Sequence, residues 1–288
     1  MKTNKIATGC ALLAAALYAV NIPFSKLLLE YVQPTMLAAF LYLGAGVGLG
    51  FWSLLVKDRE KQEPLTRAEL PYTLGMILLD IAAPILLMLG LARTGSANAS
   101  LLNNFEIVAT SVIALVVFRE KISARLWLAI GLVTVSSVIL SFEDVSALSF
   151  SAGSLFVLAA CVCWGLENNC TRKLSSKNPL QIVVIKGFGS GLGALVMAFA
   201  VGEHLPGVMC LLGALLLGFV SYGLSIYFYI YAQRDLGAAK TSTYYAVAPF
   251  VGAGLSLLLF WELPPLSFVI GLVIMIAGTY FATVDVGA

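Results

Sequence analysis

Apolar runs of about 20 residues, the length a helix needs to cross a bilayer, recur along almost the entire chain. They lie at residues 6–25, 35–56, 71–91, 96–118, 124–141, 152–171, 179–200, 207–231, 238–260 and 264–283. Little is left between them for a soluble domain, and 60% hydrophobic against 11% charged residues excludes a water-soluble fold. Backbone polar groups in lipid must be satisfied internally, which for runs of this length means helices. The expected fold class is an all-α polytopic membrane protein of ten transmembrane helices, here called spans 1 to 10.

The opening MKTNK followed by an apolar run has the look of a secretory signal, but the run continues through Val20 and its pattern returns at Ala152. A retained first span is expected. Positive loop residues fall on alternate sides. One side collects Lys2 and Lys5, the group Lys57 to Arg67, then Arg119, Lys121 and Arg125, then Arg172, Lys173 and Lys177, then Arg234 and Lys240; the other has Lys26 and Arg93. This bias predicts a multi-pass protein of the cytoplasmic (inner) membrane with both termini in the cytoplasm. The net charge of +2 is thereby a topology signal, and no nucleic-acid partner is expected. Five cysteines without ligand-like spacing and a single histidine, His204, give no basis for a metal site or another cofactor.

The chain repeats itself. At an offset of 146, Tyr18, Ala19, Asn21 and Lys26 of span 1 meet Trp164, Gly165, Glu167 and Arg172 of span 6. At an offset of 145, Pro34, Gly44, Gly46 and Gly48 of span 2 meet Pro179, Gly189, Gly191 and Gly193 of span 7. The fourth span and the ninth share an opening (GSANASLL, GAAKTSTY) and an end (FREKIS, FWELPP), which places Ala248 opposite Glu106. Two units follow, residues 1–143 and 151–288, each of five spans. An odd number of spans inserts the second unit upside down, and inverted repeats of this kind are characteristic of carriers.

These features resemble the EamA-type permeases of the drug/metabolite transporter superfamily, over essentially the whole chain. The resemblance rests on Trp164-Gly165 and its weaker copy Tyr18-Ala19, on the shared helix openings and ends just quoted, and on Glu106-Ile107 and Ala248-Pro249 in mid-helix. It implies a ten-helix basket around a central cavity lined mainly by spans 1, 3, 4, 6, 8 and 9, usually exporting small metabolites. Members usually carry proline after the mid-helix residue; Pro249 keeps it and implies a kink, whereas Ile107 leaves none implied at Glu106.

Four ionisable residues fall within spans: Asp80, Glu106, Glu167 and Lys186. At about 1.5 Å of rise per residue, Asp80 and Glu106 come near the midplane, and Glu167 and Lys186 lie together toward the cytoplasmic third. The second pair reads either as a structural ion pair or as a charge pair for a zwitterionic substrate. Glu106 continues along one helical face through Asn103 and Thr110, and the matching stripe of span 9 holds Thr241, Tyr244 and Tyr245, whose rings can cradle an ammonium or serve only in packing. Tyr18, Asn21, Trp164 and Asn168 are expected on the same cavity by the repeat. Intramembrane carboxyls are the usual proton relays, so Glu106 and Asp80 are the candidates for proton coupling. Asp80 can instead serve backbone groups freed by Pro84.

The expected activity is that of a secondary active transporter exporting small amphiphilic or cationic metabolites (amino acids, amines or drugs) by alternating access, with protons as coupling ion. An importer of the same fold is the alternative. A lipid-modifying enzyme would call for a clustered nucleophile and base, and a channel for rings of like charge; neither pattern is present. The partners expected are a small-molecule substrate, the bilayer and protons, with oligomeric state left open.

Overall fold

Without water to satisfy backbone groups, each apolar run closes its hydrogen bonds within itself. The computed structural model of the chain describes residues 2–55, 65–118, 123–144, 149–174, 177–229, 231–232, 241, 244–261 and 263–285. Glu120 and Glu262, matched at the ends of spans 4 and 9, lie outside these. The spans are all helical, ten in chain order. Span 1 comprises Lys2–Ala19 and Asn21–Leu28, and span 2 Pro34–Leu55. Span 3 is Leu70–Leu91, span 4 Ser96–Leu102 with Phe105–Phe118, and span 5 Ala124–Ser141. Span 6 is Ala152–Leu174, span 7 Pro179–Ala200 and span 8 Val208–Gly218 with a π-helical continuation, Phe219–Leu224. Ala248–Phe260 and Leu266–Asp285 are spans 9 and 10. A two-stranded antiparallel hairpin, β1 (Phe142–Asp144) with β2 (Ser149–Phe150), joins the halves.

Among the described residues, seven helical segments are long and apolar enough to cross a membrane. Ala152–Leu174 has the length, but Glu167, Asn168 and Asn169 interrupt its apolar run. Ala248–Phe260 and Leu266–Ala282 are apolar and shorter within the described residues.

The largest packing interfaces follow the repeat. Span 2 packs on span 7, span 4 on span 9 and span 5 on span 10, while the contacts of span 3 with span 6 are answered by those of span 8 with span 1. The matched pairs run antiparallel. Gly46 lies against Gly187 whereas Leu43 lies against Gly191; Leu140 meets Gly271 whereas Val133 meets Gly278. Opposite polarity of the two five-helix units is thus visible in the register. A Cβ added at Gly187 would stand 2.5 Å from the Gly46 Cα, so the span 2/span 7 seam exists only because small residues let the backbones touch.

Within the described residues three spans are broken. Span 1 turns at Val20, span 9 turns at 246–247 just ahead of Pro249, and span 4 turns at Asn103–Asn104 with no proline nearby. The implied kink at Pro249 is present, and one has formed before Glu106 as well. Its cause is local: Asn104 N–H bonds to the Leu101 carbonyl at 3.1 Å, Glu106 N–H to Asn103 at 3.2 Å and Ile107 N–H to Asn104 at 3.0 Å, each reaching back three residues instead of four. The Asn104 side chain donates to the same Leu101 carbonyl at 3.2 Å. An asparagine that offers the backbone a competing partner can open a helix without help from proline.

Candidate functional site

The break in span 4 makes Phe105–Phe118 a half-helix that starts inside the bundle, with Glu106 in its first turn. The N-terminal end of a helix carries partial positive charge and favours a carboxylate there. Span 6 supplies the other wall. Asn168 Nδ2 donates to Glu106 Oε1 at 2.6 Å and to Thr110 Oγ1 at 3.2 Å. Gly165 lets span 6 approach closely enough that a Cβ there would meet Ala109 at 2.7 Å. Among the described residues Glu106 makes no ion pair.

Beside it stands a line of tyrosines. Asn103, on the opened turn, donates to the Tyr18 hydroxyl at 3.1 Å. The Tyr18 ring lies 5.7 Å from that of Tyr245 and 6.1 Å, edge-on, from that of Tyr222. Tyr245 continues to Tyr229 at 5.0 Å and shares a 3.3 Å hydrogen bond with Ser225 Oγ; Tyr222 continues to Tyr42 at 5.0 Å. Asn21, fully buried, donates to the Tyr222 hydroxyl at 3.2 Å and accepts from Ser25. Glu106, Tyr18 and Tyr245 keep part of their surface accessible although they sit mid-bundle.

The line ends on charge. Tyr42 donates to Asp80 Oδ1 at 2.9 Å, and Asp80 Oδ2 lies 3.1 Å from Lys186 Nζ, which is 3.0 Å from Glu167 Oε1. Thr171 donates to the same Glu167 oxygen. The matched depth of Glu167 and Lys186 therefore does mark an ion pair. The matched depth of Asp80 and Glu106 does not mark a pair: Asp80 turns to Lys186, and Glu106 is held by Asn168. Nor does Asp80 serve the backbone around Pro84; its partners are Tyr42 and Lys186. Helical rise sets how deep a residue lies and not which way it faces, which is why depth alone does not reveal the partners of Asp80.

Of the remaining expected residues, Trp164 and Thr241 are buried, and Tyr244 is half-buried outside the network just described. Tyr42 and Tyr222 connect its two ends and were not anticipated. Each is a hydroxyl-bearing ring amid apolar and small neighbours (FLYLG, VSYGL), and that contrast was the available signal.

Comparison with known proteins agrees with this architecture. A transporter of Methanothermobacter thermautotrophicus (strain ATCC 29096 / DSM 1053 / JCM 10044 / NBRC 100330 / Delta H), named only as uncharacterized, is 26% identical over 289 residues, covering 93% of this chain and 83% of its own length. The uncharacterized transporter YyaM of Bacillus subtilis (strain 168) is 20% identical over 236 residues, 79% of this chain and 77% of its own. A crystal structure described only as that of a protein superposes with a TM-score of 0.67 at 16% identity, over 97% of this chain and 96% of that one, which shows the fold alone. The model of the EamA-like transporter family matches residues 5–142 and again 151–284. The chain, a multi-pass membrane protein and not an enzyme, belongs to the EamA-like transporter family.

Proposed function

We propose that this transporter exports small amphiphilic or cationic metabolites, such as amino acids, amines or drugs, across the cytoplasmic membrane by alternating access driven by protons. Its units are residues 1–143 and 151–288, with both termini in the cytoplasm. The observation that carries the reading is Glu106: an acidic side chain at the start of a half-helix, bonded to the neutral Asn168 amide and backed by the tyrosines around Tyr18. A carboxylate beside aromatic faces suits an ammonium group bearing an apolar body. Lys186 is engaged by two carboxylates, so an anionic cargo finds no ready counter-charge in it.

The test uses purified protein in liposomes under an imposed pH gradient, following candidate amines and amino acids in wild type and Glu106→Gln. Gradient-driven flux is expected in the wild type and lost in the variant. Undiminished flux in the variant would overturn the role of Glu106, and failure of every amine and amino acid would overturn the cargo class.

A further inference from the structure

Asp80, Glu167 and Lys186 come from spans 3, 6 and 7, and they join the first repeat to the second. Asp80 is fully buried and Glu167 is 2% exposed. Two carboxylates share one ammonium, so with all three ionised the cluster holds one negative charge more than positive. Excess charge away from water is costly. Among the described residues, the groups facing it supply no second cation. Tyr42 of span 2 donates to Asp80, with Tyr222 of span 8 behind it. Glu106 of span 4 lies within electrostatic reach of both Glu167 and Lys186, and Cys170 of span 6 within reach of Glu167. Thr171 is a neutral donor.

We propose that these three side chains form a proton-operated latch between the repeats, distinct from the cargo site at Glu106. With both carboxylates ionised, Lys186 Nζ ties span 7 to span 3 on one side and to span 6 on the other. One proton taken up on a carboxylate oxygen turns that group neutral and brings the cluster to zero net charge. It also reduces one of the two ion pairs to an ordinary hydrogen bond, so the tie between spans 3 and 6 loosens. The latch lies toward the end of the bundle marked by the 3.5 Å Lys177–Glu69 pair, so its release frees that end. The inference rests on the exporter reading only for the use made of the motion; the latch itself requires no cargo.

The structure supplies a reporter. A Cβ added at Gly75 of span 3 would stand 3.2 Å from the Cys170 sulfur of span 6, a spacing that a disulfide can close. The full-length Gly75→Cys protein in liposomes would be treated briefly with copper phenanthroline between about pH 5 and about pH 8, and the bond between the introduced thiol and Cys170 counted by peptide mapping. The same substitution made with Asp80→Asn, which keeps Glu167 beside Cys170, gives the reference at each pH and removes the intrinsic pH dependence of thiol oxidation. Relative to that reference, cross-linking is expected to be several-fold faster at the alkaline end and to fall to the reference level at the acid end. A ratio that does not change with pH overturns the latch. Because no substrate is present, that result would leave the exporter reading standing, and a failed cargo assay would leave the latch standing.

Discussion

The two repeats trace nearly the same helical path and place different chemistry along it. Where the second repeat carries Glu167 and Lys186, the offsets of the two copies put Asn21 and Leu41 in the first. Where the first carries Asp80, the offset of 141 that aligns Arg93 with Arg234 puts Ser221 beside Tyr222 in the second. One end of the pseudo-two-fold is thus joined through Asp80, Lys186 and Glu167, and its counterpart through hydrogen bonds among Asn21, Ser25 and Tyr222. A symmetric scaffold offers two opposed conformations; with the latch proposed above, unequal closures would make them unequal in energy and in sensitivity to protons. The mid-helix position repeats the lesson, with Glu106 in one copy and Ala248 in the other.

The sharpest way to break this comparison is to remove the shared cation. Lys186→Met strands two buried carboxylates, and a loss of about 3–5 kcal/mol is expected, read as a large drop in melting temperature in detergent. Were Lys186→Met no worse tolerated than Asn21→Leu on the neutral side, the distinction between the two closures would fail. Second in size is the mid-helix contrast. Glu106→Gln should lower gradient-driven flux by about tenfold or more, equivalent to about 1.4 kcal/mol, while Ala248→Ser leaves it near wild type in the same liposome assay. Asn168→Ala, which removes the 2.6 Å donor to Glu106, should cost about 1–3 kcal/mol, measured as weakened transport with the fold intact. The smallest effect is expected from Tyr222→Phe, which deletes only the neutral bond to Asn21. About 1 kcal/mol in thermal unfolding is expected, and a cost matching that of Lys186→Met would refute the ranking.

Much of this plan was legible in the residues. Ten apolar runs, the alternation of loop charges and the offset copies predicted an inverted ten-helix fold, and depth along the helices brought Glu167 level with Lys186 while leaving open whether they pair. Azimuth was not legible. Depth put Asp80 level with Glu106 and did not reveal its partner Lys186, because nothing in one span's sequence states which neighbour it faces; that depends on the closeness of spans 2, 3 and 7. The opened turn at Asn103–Asn104 was missed for a different reason. Proline is a conspicuous breaker, whereas an asparagine competing for the backbone acts only when the surrounding bundle supplies a place for the turned chain. Tyr42 and Tyr222 escaped notice because single tyrosines in apolar spans are ordinarily packing residues.

Glu203, in the loop that follows span 7, accepts hydrogen bonds from Thr35 and Met36 N–H at 3.1 and 2.6 Å and so closes the start of span 2. Together with the backbone contact at Gly46 and Gly187, this fastens spans 2 and 7 along their length and at one tip. A pair bound so tightly cannot part when the vestibule changes sides. Under the alternating-access reading proposed above, it is the natural fulcrum about which the remaining helices would swing.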